Sequence, residues 1–136
     1  MTLAVETTPA PPEPAAAPQA ARDGLRTARV EIRLDGGWHP VCDVAQLTPG
    51  RGVAVLLPDG RQAAVFLDRT GGVYAIGNQD PFTGAWVLSR GLLGRVGAAG
   101  RPFVASPLLK QRFDLTTGSC LDDDTVSVPA YSVRTR

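Results

Sequence analysis

The sequence predicts a small antiparallel all-β domain. Three observations predict it: apolar runs of four to six residues, several alternating with polar ones; 15 Gly and 12 Pro among 136 residues, many set between those runs; and no stretch suited to a long structural helix. Residues 1 to 27 stand apart. Seven Ala and five Pro fall within positions 1 to 21, without apolar periodicity, so a flexible tail is expected there. The remaining 109 residues, 28–136, suffice for one domain.

Arg29-Val-Glu-Ile-Arg-Leu34 alternates polar with apolar and reads as a strand with one wet face, ended by the turn Asp35-Gly-Gly37. In Trp38-His-Pro-Val-Cys-Asp43, Asp43 can cap a short helical turn over Val44-Ala-Gln-Leu47 that Pro49-Gly50 ends. Gly52–Leu57 and Gln62–Leu67 flank Pro58-Asp-Gly-Arg61, and Asp-Gly between apolar runs is a strong hairpin signal. The turn Arg69-Thr-Gly-Gly72 leads into a strand at Val73-Tyr-Ala-Ile76. From Gly77 to Gly100 the chain is loop-rich, with Gly91-Leu-Leu-Gly94 and Gly97-Ala-Ala-Gly100 read as turns. Strand texture returns at Pro102–Ala105, Leu108-Leu109, Arg112–Leu115, Val126–Val128 and Tyr131–Val133.

Composition excludes several function classes. The net charge is +1, and the densest basic stretch is Lys110-Gln-Arg112, far from the basic stripe of a nucleic-acid binder. No apolar run approaches a membrane span, and the opening residues lack a basic n-region and an apolar h-region, so the cytoplasm is the expected location. Cys42, Cys120 and the single His39 form no zinc spacing, even with Asp122, Asp123 and Asp124, which read as a solvated turn. The glycines lack a dinucleotide-binding context. Ser89, Ser106, Cys42 and Cys120 are the available nucleophiles and His39 the one imidazole base, in a Trp-His-Pro segment that reads as packing and turn.

Asp80 precedes Pro81, which pushes it toward extended geometry, and its carboxylate suits capping of local amides. A sharper reading sets Asp80, Arg90 and Lys110 on a polar surface that meets a partner. Phe82, Trp86, Leu92 and Leu93 either close a second small core or form an interface.

Two segments carry a family likeness. Ala75-Ile-Gly-Asn-Gln-Asp-Pro-Phe-Thr-Gly-Ala85 with Val87-Leu-Ser-Arg-Gly91, and Ser106-Pro-Leu-Leu-Lys-Gln-Arg-Phe-Asp-Leu-Thr-Thr-Gly-Ser-Cys-Leu121, resemble the Rieske-like small subunit of assimilatory NAD(P)H-dependent nitrite reductase. The likeness runs from about Trp38 to Arg134. It implies a Rieske-like [2Fe-2S] ferredoxin fold of antiparallel sheets over 28–136, with a loop-rich subdomain at about 77–115 replacing the cluster-binding region.

In Rieske ferredoxins two loops, Cys-x-His and Cys-x-x-His, hold the cluster. The matching positions here are Asp80 and Phe82, then Ser106 and Leu109, and Phe and Leu offer no lone pair. The resemblance therefore implies a chain without cofactor or catalytic residue. Phe82 and Leu109 are expected to fill the space of the two imidazoles, and Ser106→Ala to be nearly neutral for partner binding. It also implies a large-subunit partner carrying FAD, a [4Fe-4S] cluster and siroheme, which reduces nitrite to ammonium. The interface candidates are Asp80, Arg90, Lys110 and Arg112. The alternatives are a free-standing binding module and a [2Fe-2S] electron carrier, the latter disfavoured by the missing ligands.

Overall fold

The computed structural model describes residues 28–136, so the expected tail lies outside the described residues. Ten strands occur among them: β1 (Arg29–Leu34), β2 (Gly37–Asp43), β3 (Arg51–Leu56), β4 (Gln62–Leu67), β5 (Val73–Gly77), β6 (Leu92–Val96), β7 (Arg101–Ala105), β8 (Arg112–Asp114), β9 (Ala130–Tyr131) and β10 (Val133–Thr135). Single 3₁₀ turns at Val44–Gln46 and Leu88–Arg90 are the helical elements there. Every strand pairing is antiparallel, in three sheets ordered β10-β1-β2, β3-β4-β5-β9 and β6-β7-β8. The fold is all-β, as predicted.

The middle sheet has both faces covered, and β4 shows why. Ala63, Ala64, Val65 and Phe66 are each fully buried. Successive strand residues point to opposite faces. Ala63 and Val65 accordingly join Val30, Ile32 and Val55 in one core, while Ala64 and Phe66 join Leu88, Val104 and Phe113 in another. An uninterrupted apolar strand is what a two-faced burial requires.

The β3–β4 hairpin forms where Asp59-Gly60 predicts it. Gly60 takes φ 90°, and the Leu57 N–H donates to Arg61 O at 2.8 Å. At the first 3₁₀ turn the Asp43 N–H donates to Gln46 Oε1 at 2.7 Å, half of the reciprocal arrangement that starts a helical turn.

Three local expectations are corrected. Gly91-Leu-Leu-Gly94 leads into and forms part of β6 rather than a turn, because its glycines serve close approach. A Cβ at Gly94 would lie 2.6 Å from the ring of Phe103, its cross-strand partner. Leu108-Leu109 sits in a turn, with Lys110 at φ 70°. Within Val126–Val128 Ser127 alone pairs, as an isolated bridge to Ser119. No helix among the described residues is long and apolar enough to cross a membrane.

Candidate functional site

Two loops meet at one end of the molecule, the first leaving β5 and the second joining β7 to β8. Asn78, buried, anchors the first. Its amide donates to Gln62 Oε1 at 2.9 Å, and its Oδ1 accepts the Ser89 N–H at 2.8 Å. Asp80 follows, with its N–H on Ala85 O at 2.8 Å and its carbonyl accepting the Gly84 N–H at 2.7 Å. In the second loop the Ser106 N–H donates to Gln111 O at 2.8 Å, and the Lys110 N–H closes a turn onto Ser106 O at 3.1 Å. Pro81 and Pro107 each stand directly after the residue that joins the loops.

That join is direct. Ser106 donates its hydroxyl to Asp80 Oδ2 at 2.6 Å, and both residues are fully buried. Asp80 Oδ1 accepts the Phe82 N–H at 2.8 Å, and Ser106 Oγ accepts the Leu108 N–H at 3.3 Å. Each side chain therefore ties its own loop and the neighbouring one. The expectation that Asp80 contributes to a polar surface is corrected: its carboxylate is buried and takes its two donors, the Phe82 N–H and the Ser106 hydroxyl, from within the chain, which leaves it nothing to offer a partner.

Phe82 and Leu109 also differ from expectation. Rather than filling an interior space, they are 37% and 55% exposed, beside Leu108 at 48%. Phe82 lies over Phe113 with ring centroids 6.3 Å apart and leaves its outer face open. The Asp80–Ser106 bond joins the loops directly, and Phe82 and Leu109 are left at the surface.

These residues do not fit a [2Fe-2S] cluster. Two of the four positions carry no donor atom, and the two oxygen-bearing side chains that remain are hydrogen-bonded to each other. Oxygen is in any case a poor substitute for thiolate on sulfide-bridged iron. Among the described residues no three His, Cys, Asp or Glu side chains are grouped to hold a metal ion. Cys42 and Cys120 are free thiols belonging to different cores, one on each side of the middle sheet. Burial, with the neighbouring Asp43 carboxylate, pushes the Cys42 thiol up, away from thiolate reactivity. His39 lies on β2, an edge strand of another sheet, and assembles no triad with Ser89 or Ser106.

The remaining interface candidates separate. Lys110 is exposed in the second loop. Arg112 is held by Asp122: its Nη2 donates to Oδ1 at 2.8 Å, and its backbone N–H to Oδ2 at 2.8 Å. This pairing raises the guanidinium further above its ordinary value. Arg90 sits elsewhere, in a groove with Arg51 and Arg69. Sequence reading missed Asn78, the Asp80–Ser106 bond and the arginine grouping, because each depends on contacts between segments 10 to 40 residues apart for which no local pattern exists.

Residues 37–136 match the family described as "Rieske-like [2Fe-2S] domain". The nitrite reductase (NADH) small subunit of Salmonella typhimurium is 43% identical over 100 residues, covering 73% of this chain and 90% of that protein. A solution structure of the nitrite reductase [NAD(P)H] small subunit from Erwinia carotovora superimposes with TM-score 0.55 at 46% identity, covering 68% of this chain and 69% of that one. A third likeness, 42% identical over 98 residues, is to the nitrite reductase [NAD(P)H] large subunit of Klebsiella oxytoca, spanning 71% of this chain and 10% of that protein. The sheets, the paired loops and these likenesses together place the chain in the Rieske-like domain family, among the small subunits of NAD(P)H-dependent nitrite reductase.

Proposed function

We propose that this chain is the small, non-catalytic subunit of an assimilatory NAD(P)H-dependent nitrite reductase, working in the cytoplasm on the large subunit that reduces nitrite to ammonium. The observation that carries this reading is the Asp80–Ser106 hydrogen bond, which joins the two loops of a Rieske-like frame at the positions where cluster-binding cysteines would stand. With no thiolate or imidazole at the four ligand positions, Asp80, Phe82, Ser106 and Leu109, the role left to these loops is contact. The family resemblance assigns FAD, the [4Fe-4S] cluster and siroheme to the large subunit.

The loop end is suited to contact. Phe82, Leu108 and Leu109 present apolar surface on backbone already fixed by the buried bonds beneath them, so little ordering entropy is lost on docking. Burial of such surface contributes about 25 cal/mol per Å². Lys110 adds charge beside it. The Klebsiella likeness supports the choice of partner, since there a comparable stretch is part of a large-subunit polypeptide.

The test is nitrite-dependent NADH oxidation by the purified large subunit, titrated with this chain. Activity or active lifetime rising to saturation at a fixed ratio supports the reading. A flat titration, with no complex by gel filtration, overturns it.

A further inference from the structure

Away from the loop end, a groove of about 470 Å³ runs between the start of β3 and the 3₁₀ turn Leu88–Arg90. Arg51, Arg69 and Arg90 line it, all exposed, and no acidic residue does. Among the described residues none of the three is ion-paired, whereas Arg61, Arg95, Arg101, Arg112 and Arg134 each hold a carboxylate. The nearby Asp68 is engaged by Arg95 at 2.6 Å and by the N–H groups of Thr70 and Gly72. Gly50 lines the groove at φ 84°, a backbone conformation that favours glycine, beside the Arg69 guanidinium. Three like charges without a counter-charge in a concave surface make a strong positive field.

We infer that this groove receives an acidic segment of the large subunit, a contact separate from the apolar loop end; the inference rests on the proposed function above. The character of the donors selects a protein segment over a small anion. Backbone N–H groups in the walls are already used: Gly50 on Leu67 O at 2.7 Å, Arg90 on Val87 O at 2.9 Å, Gly91 on Leu88 O at 3.0 Å. Binding is left to long, mobile guanidinium groups, whereas small-ligand sites rely on a few fixed, buried polar groups. Guanidinium groups match carboxylates in paired geometry and adapt to side chains spaced along a segment. Leu92, 71% exposed, supplies an apolar contact at the rim. The groove is bounded by β3 and β6, the edge strands of their sheets, which suits an extended segment.

The experiment measures affinity of the full chain for the purified large subunit at low and high salt. The wild-type chain is expected to bind more weakly at high salt. The triple variant Arg51→Glu, Arg69→Glu, Arg90→Glu is expected to lose roughly tenfold or more at low salt and most of the salt dependence. The triple Arg→Lys variant keeps the charges and is expected to keep most of the affinity, and Phe82→Ala to weaken binding while leaving the salt slope intact. A folded triple-Glu variant with wild-type affinity and slope overturns the groove contact and leaves the proposed function standing. Failure of the wild-type chain to bind overturns both.

Discussion

Ser106 and Asp80 are joined side chain to side chain at 2.6 Å across 26 residues of sequence, in full burial. They occupy the positions where the family resemblance sets cluster-binding cysteines. A single hydrogen bond to a carboxylate thus performs the crosslinking between loops, and its energetics are those of a buried polar contact rather than of metal ligation.

Ser106→Ala should lower the unfolding free energy by about 1–3 kcal/mol, since Asp80 loses a donor it cannot replace from water. Urea denaturation measures this directly. The sequence expectation of near-neutral partner binding is a separate quantity, to be read on the folded variant. A stability within about 0.5 kcal/mol of wild type would show that the bond contributes little.

Phe82→Asp should separate folding from association. With its outer face in solvent, Phe82 contributes mainly its contact with Phe113, a loss of about 0.5–1.5 kcal/mol. Affinity for the large subunit should fall by roughly tenfold or more, as for a residue central to an interface. Unchanged affinity in a folded variant would remove Phe82 from the contact surface.

Acid should unfold the protein in part through Asp114 and Asp68. Burial pushes the Asp114 carboxyl up, but the N–H groups of Thr116 and Thr117 together with Arg101 outweigh it and hold the carboxyl below its ordinary value. Asp68 is held down likewise by Thr70, Gly72 and Arg95 against the same opposing effect of burial. A carboxylate depressed in the folded state contributes stability that is complete above its unfolded value, about 4, and lost as pH falls through the folded one. Unfolding free energies at pH 7 and pH 3 should therefore differ less in Asp114→Asn than in wild type.

Gly91→Ala should be among the most damaging single-methyl changes. The backbone there is ordinary, with φ −74°, so strain is not the reason. The added Cβ would sit 2.3 Å from Ala105 O and 2.5 Å from Val104 Cγ2, in the β6–β7 pairing. A loss above about 3 kcal/mol, or failure to fold, is expected from thermal unfolding. Gly60→Ala, with open space around its Cβ, carries only the cost of its positive φ and serves as the comparison.

What the sequence made legible was local. Alternation in Arg29–Leu34 and the Asp59-Gly60 turn are written within a few residues, and the strands formed there. The β6 strand was hidden because Gly91 and Gly94 carry turn chemistry while serving steric clearance against Ala105 and Phe103. For Asp80 the capping of a local amide was legible, and the Phe82 N–H meets it, whereas its burial was not, because its second partner, Ser106, lies on another loop. Positions 51, 69 and 90 have nothing in common until β3 and the second 3₁₀ turn are brought side by side. Fold class follows from short-range pattern, and the site from long-range pairing.

One strand, β4, feeds two cores with alternate side chains. Such a strand acts as a shared keystone: when it leaves, both apolar interiors open together. The three sheets should consequently melt as one cooperative unit, and the amides of Ala63 to Phe66 should be the last to exchange with heavy water. The loop end then inherits its rigidity from the whole molecule rather than from its own few contacts.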